Sequence, residues 1–345
     1  VIDLIVQLTR SRVLSSYSRW LEARHGVESY YRDYRWGFQL FNDPTVWPLA
    51  SVTSGTLDGL KAVLPSAEWF GPKAFNQIVA RSGWGADDTL LTLRAGHSFT
   101  HHGHYDAGHF TLFKGAPLAI SNATYRGDIA APNRLYYGIR TVSRNSLLVL
   151  RPNERIRPSP LIERNVIDGG QRIAMPTGSS VQGVADWLAQ IGQGRHYEGG
   201  VIRTYQLIDG RMLYVEADLT GAYDNSDYDT QDRGGKVEQV SRALLYLLDE
   251  DRVFVFDTVE STDPGYTKKW LLHLPQRPDI PNLRVKLGNE NAGILESPSE
   301  RLSMVNGRGR LDLVRLAPEA AVIRLVGGEG YVYYDEADGD DQVLN

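Results

Sequence analysis

The chain of 345 residues contains no cysteine and no apolar run long enough for a membrane-spanning helix. The lack of cysteine excludes disulfides and thiolate metal sites, and the lack of a long apolar run means that no membrane span is expected. The net charge of −5 is small, so no bulk field attracts nucleic acid and no such partner is expected. The chain begins at Val1 and shows no signal peptide, and we therefore expect a fragment boundary there.

The first 65 residues have a helical pattern. Apolar side chains recur at helix spacing, and a glycine follows as a stop signal: Val13, Leu14, Tyr17, Trp20, Leu21 and Gly26. The spacing predicts a helix there, and residues 1–65 are expected to form a first, helical domain.

Short alternating strands begin at about residue 77, separated by Gly, Pro, Asn and Asp. An Asp209-Gly210 pair between two apolar runs predicts a hairpin. Residues 241–248 favour a long strand over a helix, and residues 184–191 fit either a short helix or a strand. The fold class expected is therefore mainly β, with a large antiparallel β-sandwich over residues 66–345.

Five of the eight histidines lie between residues 97 and 110. If this segment is extended, His102, His104 and Asp106 project from one face, with Gly103 leaving space between them. Such a group is costly to bury unless it binds something. It could hold a metal, supply a base positioned by a carboxylate, or form a solvated or internally satisfied cluster.

Arginine is concentrated between residues 134 and 164, with only Glu154 and Glu163 to offset it. Guanidinium pairs bidentately with carboxylate and sulfate, so this interval is a candidate anion-binding surface. A set of solvated arginines on strand faces is the alternative. The members are Arg134, Arg140, Arg144, Arg151, Arg155, Arg157 and Arg164.

The histidine-rich motif over residues 102–110 resembles that of the heparinase II/III-like family of polysaccharide lyases. The similarity continues over roughly residues 75–335, in the order Leu118-Ala119-Ile120, Tyr125, Tyr136-Tyr137, Arg140-Thr141, Asn145, Ala217-Asp218-Leu219-Thr220, Arg242 to Asp257, and Lys269-Trp270-Leu271-Leu272-His273. Trp270 and His273 are interpreted most simply as a core residue and a satisfied buried histidine.

The resemblance implies an α-helical toroid followed by an antiparallel β-sandwich, so residues 1–65 would be the end of the toroid. It also implies cleavage of a uronic-acid polysaccharide by β-elimination, in the periplasm or outside the cell. By position, His102 and Tyr125 would be catalytic. We expect Arg140 and Arg144 to bind substrate by offsetting its charge, together with Tyr137. Asp106 would support the site.

The same resemblance implies zinc bound by His104 together with an aspartate and a second histidine. Those two positions are here Ser121 (or Asn122, if the alignment slips by one) and Arg144. A zinc site needs three or four ligands, so the family site is incomplete and no cofactor is expected. Arg144 could instead place a fixed cation near the metal position, with Ser121 replacing a carboxylate.

Two functions are expected from these observations, together with a weaker third. The first is a polysaccharide lyase acting on an anionic uronate-containing glycan. The second is a non-catalytic glycan-binding or structural β-domain derived from such a lyase, which the lost zinc ligands and the short helical segment favour. The third, a cupin-like metal oxygenase, would need a further ligand from His109, His196 or His273.

Overall fold

The computed structural model describes residues 64–73, 75–98, 103–122, 134–154, 168–171, 180–191, 193, 197–224 and 233–331, with five isolated positions before residue 64. The chain divides into two compact units, Val1–Pro65 and Ser66–Asn345. In the first unit, Val13, Leu14, Tyr17 and Lys61 are helical. The prediction that this unit is the end of a toroid depends on its other residues, which lie outside the described ones.

The first sheet of the second unit is an antiparallel meander in which each strand pairs with the next along the chain. Alternate residues of β2 and β3 are buried because successive side chains point to opposite faces. The strands are β1 (Ala67–Phe70), β2 (Gln77–Arg81), β3 (Thr89–Arg94), β4 (His109–Lys114) and β5 (Pro117–Ala119).

A second antiparallel sheet has the order β10-β9-β8-β7. The predicted hairpin joins β7 to β8, where Asp209 and Gly210 both have positive φ and the Arg211 N–H donates to the Ile208 carbonyl at 2.9 Å. The predicted long strand is β9. The strands are β7 (Val201–Ile208), β8 (Met212–Asp218), β9 (Val237–Leu247) and β10 (Arg252–Ser261).

Three smaller sheets and two helices complete the described part of the unit. The sheets pair β6 with β11, β12 with β13 and β16, and β14 with β15. The bounds are β6 (Leu147–Leu150), β11 (Thr267–Trp270), β12 (Arg284–Gly288), β13 (Gly293–Ser297), β14 (Arg301–Asn306), β15 (Gly309–Val314), β16 (Ile323–Gly327), α1 (Val184–Gln190) and α2 (Thr220–Tyr223). Residues 184–190 are thus helical, which settles the alternative left open by the sequence.

One apolar core lies between the two large sheets. It contains Ile78 and Leu91 from the first sheet, Leu213 and Leu244 from the second, and Val149 from β6. The mainly β, antiparallel sandwich expected from the sequence is confirmed. Trp270 was predicted to be a core residue, and this is wrong. It lies at the end of β11 with 40% of its surface exposed.

No helix within the part of the chain that the structure describes is both long enough and apolar enough to cross a membrane.

Candidate functional site

The described part of the histidine-rich segment forms a turn that leads into β4, so the condition of an extended segment is not met there. Its carbonyl at Asp106 accepts from the His109 N–H at 3.0 Å, and the Gly108 N–H donates to the Arg94 carbonyl at 2.7 Å. Gly108 has φ +80°, a left-handed conformation that favours glycine. His104 and Asp106 consequently do not share the alternating face of a strand.

A second irregular segment, residues 134–146, packs against this turn. It contains a π-helical turn at Arg134–Gly138 and a 3-10 turn at Thr141–Ser143. The Tyr105 N–H donates to the Ile139 carbonyl at 2.8 Å, and the Thr141 hydroxyl donates to the Tyr105 carbonyl at 2.9 Å. These bonds fix the two segments against each other, because backbone groups outside sheets need partners too.

Arg144 joins both segments to the end of β5. Its guanidinium is 1% exposed and donates to the hydroxyl of Ser121 and to Nδ1 of His104. It also donates to the carbonyls of Gly138 at 2.7 Å and Ser143 at 3.3 Å. The structure therefore brings together the positions 104, 121 and 144 that the sequence singled out, and Ser121 is the residue in contact with Arg144.

The contact with Arg144 determines the tautomer of His104. A guanidinium has only donors, so Nδ1 of His104 must be the acceptor and the ring proton lies on Nε2. His104 is half-buried, and the adjoining Ser121 is exposed. This edge therefore offers an imidazole N–H donor backed by a fixed positive charge.

Asn145 connects the site to the interior. Its side-chain amide donates to the carbonyls of Phe110 and Ile120, and its oxygen accepts from the His273 N–H at 2.7 Å. Its backbone N–H donates to Nδ1 of His109 at 2.9 Å. The resemblance includes Asn145, but sequence reasoning gave it no role because all of its partners are distant in the sequence.

His109 is a buried and His273 a half-buried imidazole, and both are neutral near pH 7. Burial, followed by the charge of Arg144, lowers the pKa of His109 to about 3 and that of His273 to about 4. Nε2 of His109 finds no hydrogen-bond partner among the described residues. The interpretation of His273 as a satisfied buried histidine agrees with its bonds to Asn145.

Asp106 and Tyr137 flank the contact between His104 and Arg144. Asp106 forms an ion pair with Arg94 of β3, and burial raises its pKa although the charges of Arg94 and Arg144 lower it. The Tyr137 hydroxyl accepts from the Asn122 side chain at 2.6 Å. Burial raises the pKa of Tyr137 to about 12, so its phenol stays protonated at neutral pH.

The proposed anion-binding arginine surface is not a surface in the described interval. Arg134, Arg140, Arg144 and Arg151 are all buried, so the alternative of solvated strand-face arginines is wrong there as well. Arg140 pairs with Asp168 inside the protein, and the pKa of Asp168 is lowered by that charge although burial opposes it. This position gives no support to the prediction that Arg140 binds substrate.

Several predicted residues lie outside the described ones, among them the two proposed catalytic residues, His102 and Tyr125. Arg155, Arg157, Arg164 and His196 lie outside them too. Their roles remain predictions.

The described residues do not fit a zinc ion. Within the part that the structure describes, no group of three histidine, aspartate or glutamate side chains is placed to hold a metal. The lone pair on Nδ1 of His104 already accepts from Arg144, and that on Nδ1 of His109 accepts from Asn145. His109 and His273 also do not supply the further ligand that a cupin-like oxygenase would need.

No family model and no curated protein matches the chain. Among solved structures it is similar to heparan sulfate lyase HepC from Pedobacter heparinus, with a TM-score of 0.40 and 12% identity over 85% of this chain and 34% of that one. It is also similar to heparinase III, with a TM-score of 0.40 and 14% identity over 83% of this chain and 37% of that one. The chain thus spans about a third of the length of these structures.

Proposed function

We propose that the protein is a polysaccharide lyase that cleaves an anionic, uronic-acid-containing glycan by β-elimination. One observation carries the proposal: the turn of the histidine-rich motif and residues 134–146 meet at a half-buried His104 backed by the Arg144 guanidinium. Positive charge and oriented donors beside a polar edge are what a uronate carboxylate requires. Residence in the periplasm or outside the cell forms part of the same proposal and has only the motif resemblance behind it.

In this reaction a base takes the proton from C5 of the uronate, and the electrons of that C–H bond form the C4–C5 double bond. The C4–O bond breaks and an acid protonates the departing oxygen. The Nε2–H of His104 is suited to donate to the uronate carboxylate, with the charge of Arg144 acting through the ring. His104 is not suited to be the base, because its second nitrogen already accepts from Arg144.

Proton transfer is therefore proposed for His102 and Tyr125. Histidine titrates near neutrality and can take a proton, and a nearby cation makes a tyrosine more acidic. Tyr137, which stays protonated at neutral pH, is a substrate-binding donor in this scheme and not a base.

The test is the ultraviolet absorbance of unsaturated uronate during incubation with alginate, heparan sulfate or hyaluronan. His102→Ala and Tyr125→Phe should each lower the rate by roughly a hundredfold or more while the circular dichroism spectrum stays unchanged. His196→Ala and Tyr214→Phe remove the same groups outside the motif and should leave the rate unchanged. Full activity in both motif variants would refute the assignment of these two residues.

The second candidate is a glycan-binding domain without catalysis. One observation favours it: Arg140 forms an ion pair with Asp168 inside the protein. Its charge is then not placed to bind a substrate, as the lyase prediction requires. Wild-type protein that binds these glycans, as measured by calorimetry, but never produces the chromophore would establish this alternative.

A further inference from the structure

We propose that the guanidinium of Arg144 occupies the position of a metal ion, so that an internal cation does the structural work of zinc at this site. The proposal goes beyond the lyase function, because it concerns what holds His104 and Ser121 and can be tested without turnover. It rests on the contacts of Arg144 and on the chemistry of its partners.

Positions 104, 121 and 144 lie on three separate segments, the turn before β4, the end of β5 and residues 134–146. The structure nevertheless joins them through one side chain, since Nη1 of Arg144 donates to Ser121 and Nη2 donates to His104. The two nitrogens share one carbon, so a single cationic centre lies between the hydroxyl oxygen and the imidazole nitrogen.

A metal ion would need a free lone pair on the His104 ring. The Nδ1 lone pair accepts the hydrogen bond from Arg144, and Nε2 then carries the ring proton. The two modes are mutually exclusive. Arg144 also donates to the carbonyls of Gly138 and Ser143 and is 1% exposed, so moving it aside would cost two further hydrogen bonds inside the protein.

The net charge of the site is about the same with a guanidinium as with a metal ion. A divalent ion with one carboxylate and neutral imidazoles has a net charge of about +1, and a guanidinium with a hydroxyl and a neutral imidazole has the same. Loss of the carboxylate at position 121 and gain of arginine at position 144 therefore compensate each other. Either change alone would alter the charge around the buried Arg144 position, where an unbalanced charge costs more than it does in water.

The experiment compares zinc content and Co²⁺ absorption in the wild type and in the double variant Ser121→Asp with Arg144→His. The wild type should retain no stoichiometric zinc after dialysis. The double variant should retain about one equivalent per chain and give the visible bands of tetrahedral Co²⁺, because three ligands then face one point. Adding His104→Ala to the double variant is the matched control and should abolish binding.

Two results would overturn the proposal. One is a stoichiometric zinc in the wild type that is lost on His104→Ala, and the other is a double variant that keeps the wild-type circular dichroism spectrum yet binds no zinc. Should the double variant fail to fold, ¹⁵N NMR of wild-type histidines decides, with His104→Gln used for assignment. The His104 ring should carry its proton on Nε2, and a proton on Nδ1 would contradict the contact with Arg144.

Discussion

Arg242 in β9 is the residue whose removal should damage the fold most clearly. It is fully buried, and its Nε and Nη2 donate to the two carboxylate oxygens of Asp257 in β10 at 2.7 and 2.8 Å. Its Nη1 donates to the carbonyl of Gly108 and, at 2.7 Å, to that of Asn145. One side chain thus ties the second sheet to both irregular segments of the candidate site.

The change Arg242→Met keeps most of the aliphatic volume and removes the charge and all of the donors. Asp257, whose side chain is 9% exposed, would then lose its guanidinium partner, and two carbonyls would lose a donor. Breaking a buried pair by removing one partner costs about 3–5 kcal/mol. That is a large part of the roughly 5–15 kcal/mol by which domains are stable.

Urea denaturation followed by tryptophan fluorescence and circular dichroism measures this cost. The matched control is Arg310→Met, because Arg310 makes the same bidentate pair with Asp312, at 2.7 Å for both bonds, on the surface. We expect no measurable shift in the midpoint for the control, since exposed pairs contribute little. A shift for Arg242→Met no larger than that of the control would refute the reasoning from burial.

A double variant, Arg242→Met with Asp257→Leu, separates two contributions to the lost stability: the cost of leaving the Asp257 carboxylate unpaired, and the loss of the ion pair itself. Replacing a buried pair by apolar residues is often close to neutral, so much of the lost stability should return. The stability that is not restored should correspond to the hydrogen bonds lost to the carbonyls of Gly108 and Asn145.

Two further predictions concern pH and backbone conformation. The pKa of His109 is about 3 and that of His273 about 4 in the folded chain, below the usual 6.5, so the unfolded chain binds more protons at intermediate pH. The free energy of unfolding should therefore fall by up to about 1.4 kcal/mol per pH unit for each histidine as pH drops below 6.5, and His109→Gln should flatten this slope in urea titrations at several pH values. Gly108→Ala should cost about 1–3 kcal/mol in urea denaturation, because φ is +80° and the added Cβ would lie 2.5 Å from a Leu219 methyl group; Gly183→Ala, where nothing lies within 4 Å, should cost far less.

Patterns local in the sequence predicted most of the fold. The segments flanking residues 241–248 indicated the long strand β9, and the Asp209-Gly210 pair indicated the hairpin between β7 and β8, because both depend on neighbours along the chain. The turn before β4 was not predicted. Gly108 was an available signal for it, but the shared face of His102, His104 and Asp106 was considered only for an extended segment.

Partners distant in the sequence explain the error over the arginines. The charge count within residues 134–164 treated Glu154 as a partner of these arginines. In the structure Glu154 forms an ion pair with Lys236 at 3.4 Å. Arg140 pairs with Asp168, outside the interval that was counted. By contrast, the expectation that Arg144 lies near His104 and Ser121 depended on aligned motif positions, which carry information about distant contacts that composition lacks.

The buried cations have one physical task in common, which explains why arginine is abundant here. Irregular backbone has carbonyls without strand partners, and these need donors when they are buried. Arg242 donates to Gly108, and Lys236 donates to Gly170. Arg144 and Lys236 also donate to Gly138 and Gly169, whose carbonyls have second donors in the Ser143 hydroxyl and the Val149 N–H. Multiple donors on one side chain can hold several loop carbonyls at once, which neutral side chains do less well.

This use of arginine limits what remains for a ligand. The guanidiniums that fix the loops are buried, so a substrate anion would meet them through the half-buried or exposed groups in front, chiefly His104, Ser121 and Asn122. Arg144 donates to Nδ1 of His104 and so keeps the ring proton on Nε2. The charge of Arg144 should make this Nε2–H a stronger donor to a ligand, although Arg144 does not contact the ligand itself. Arg144→Lys tests this separation: lysine keeps the charge but lacks the planar fork that bonds two partners at once, so glycan binding should weaken even though the net charge is unchanged.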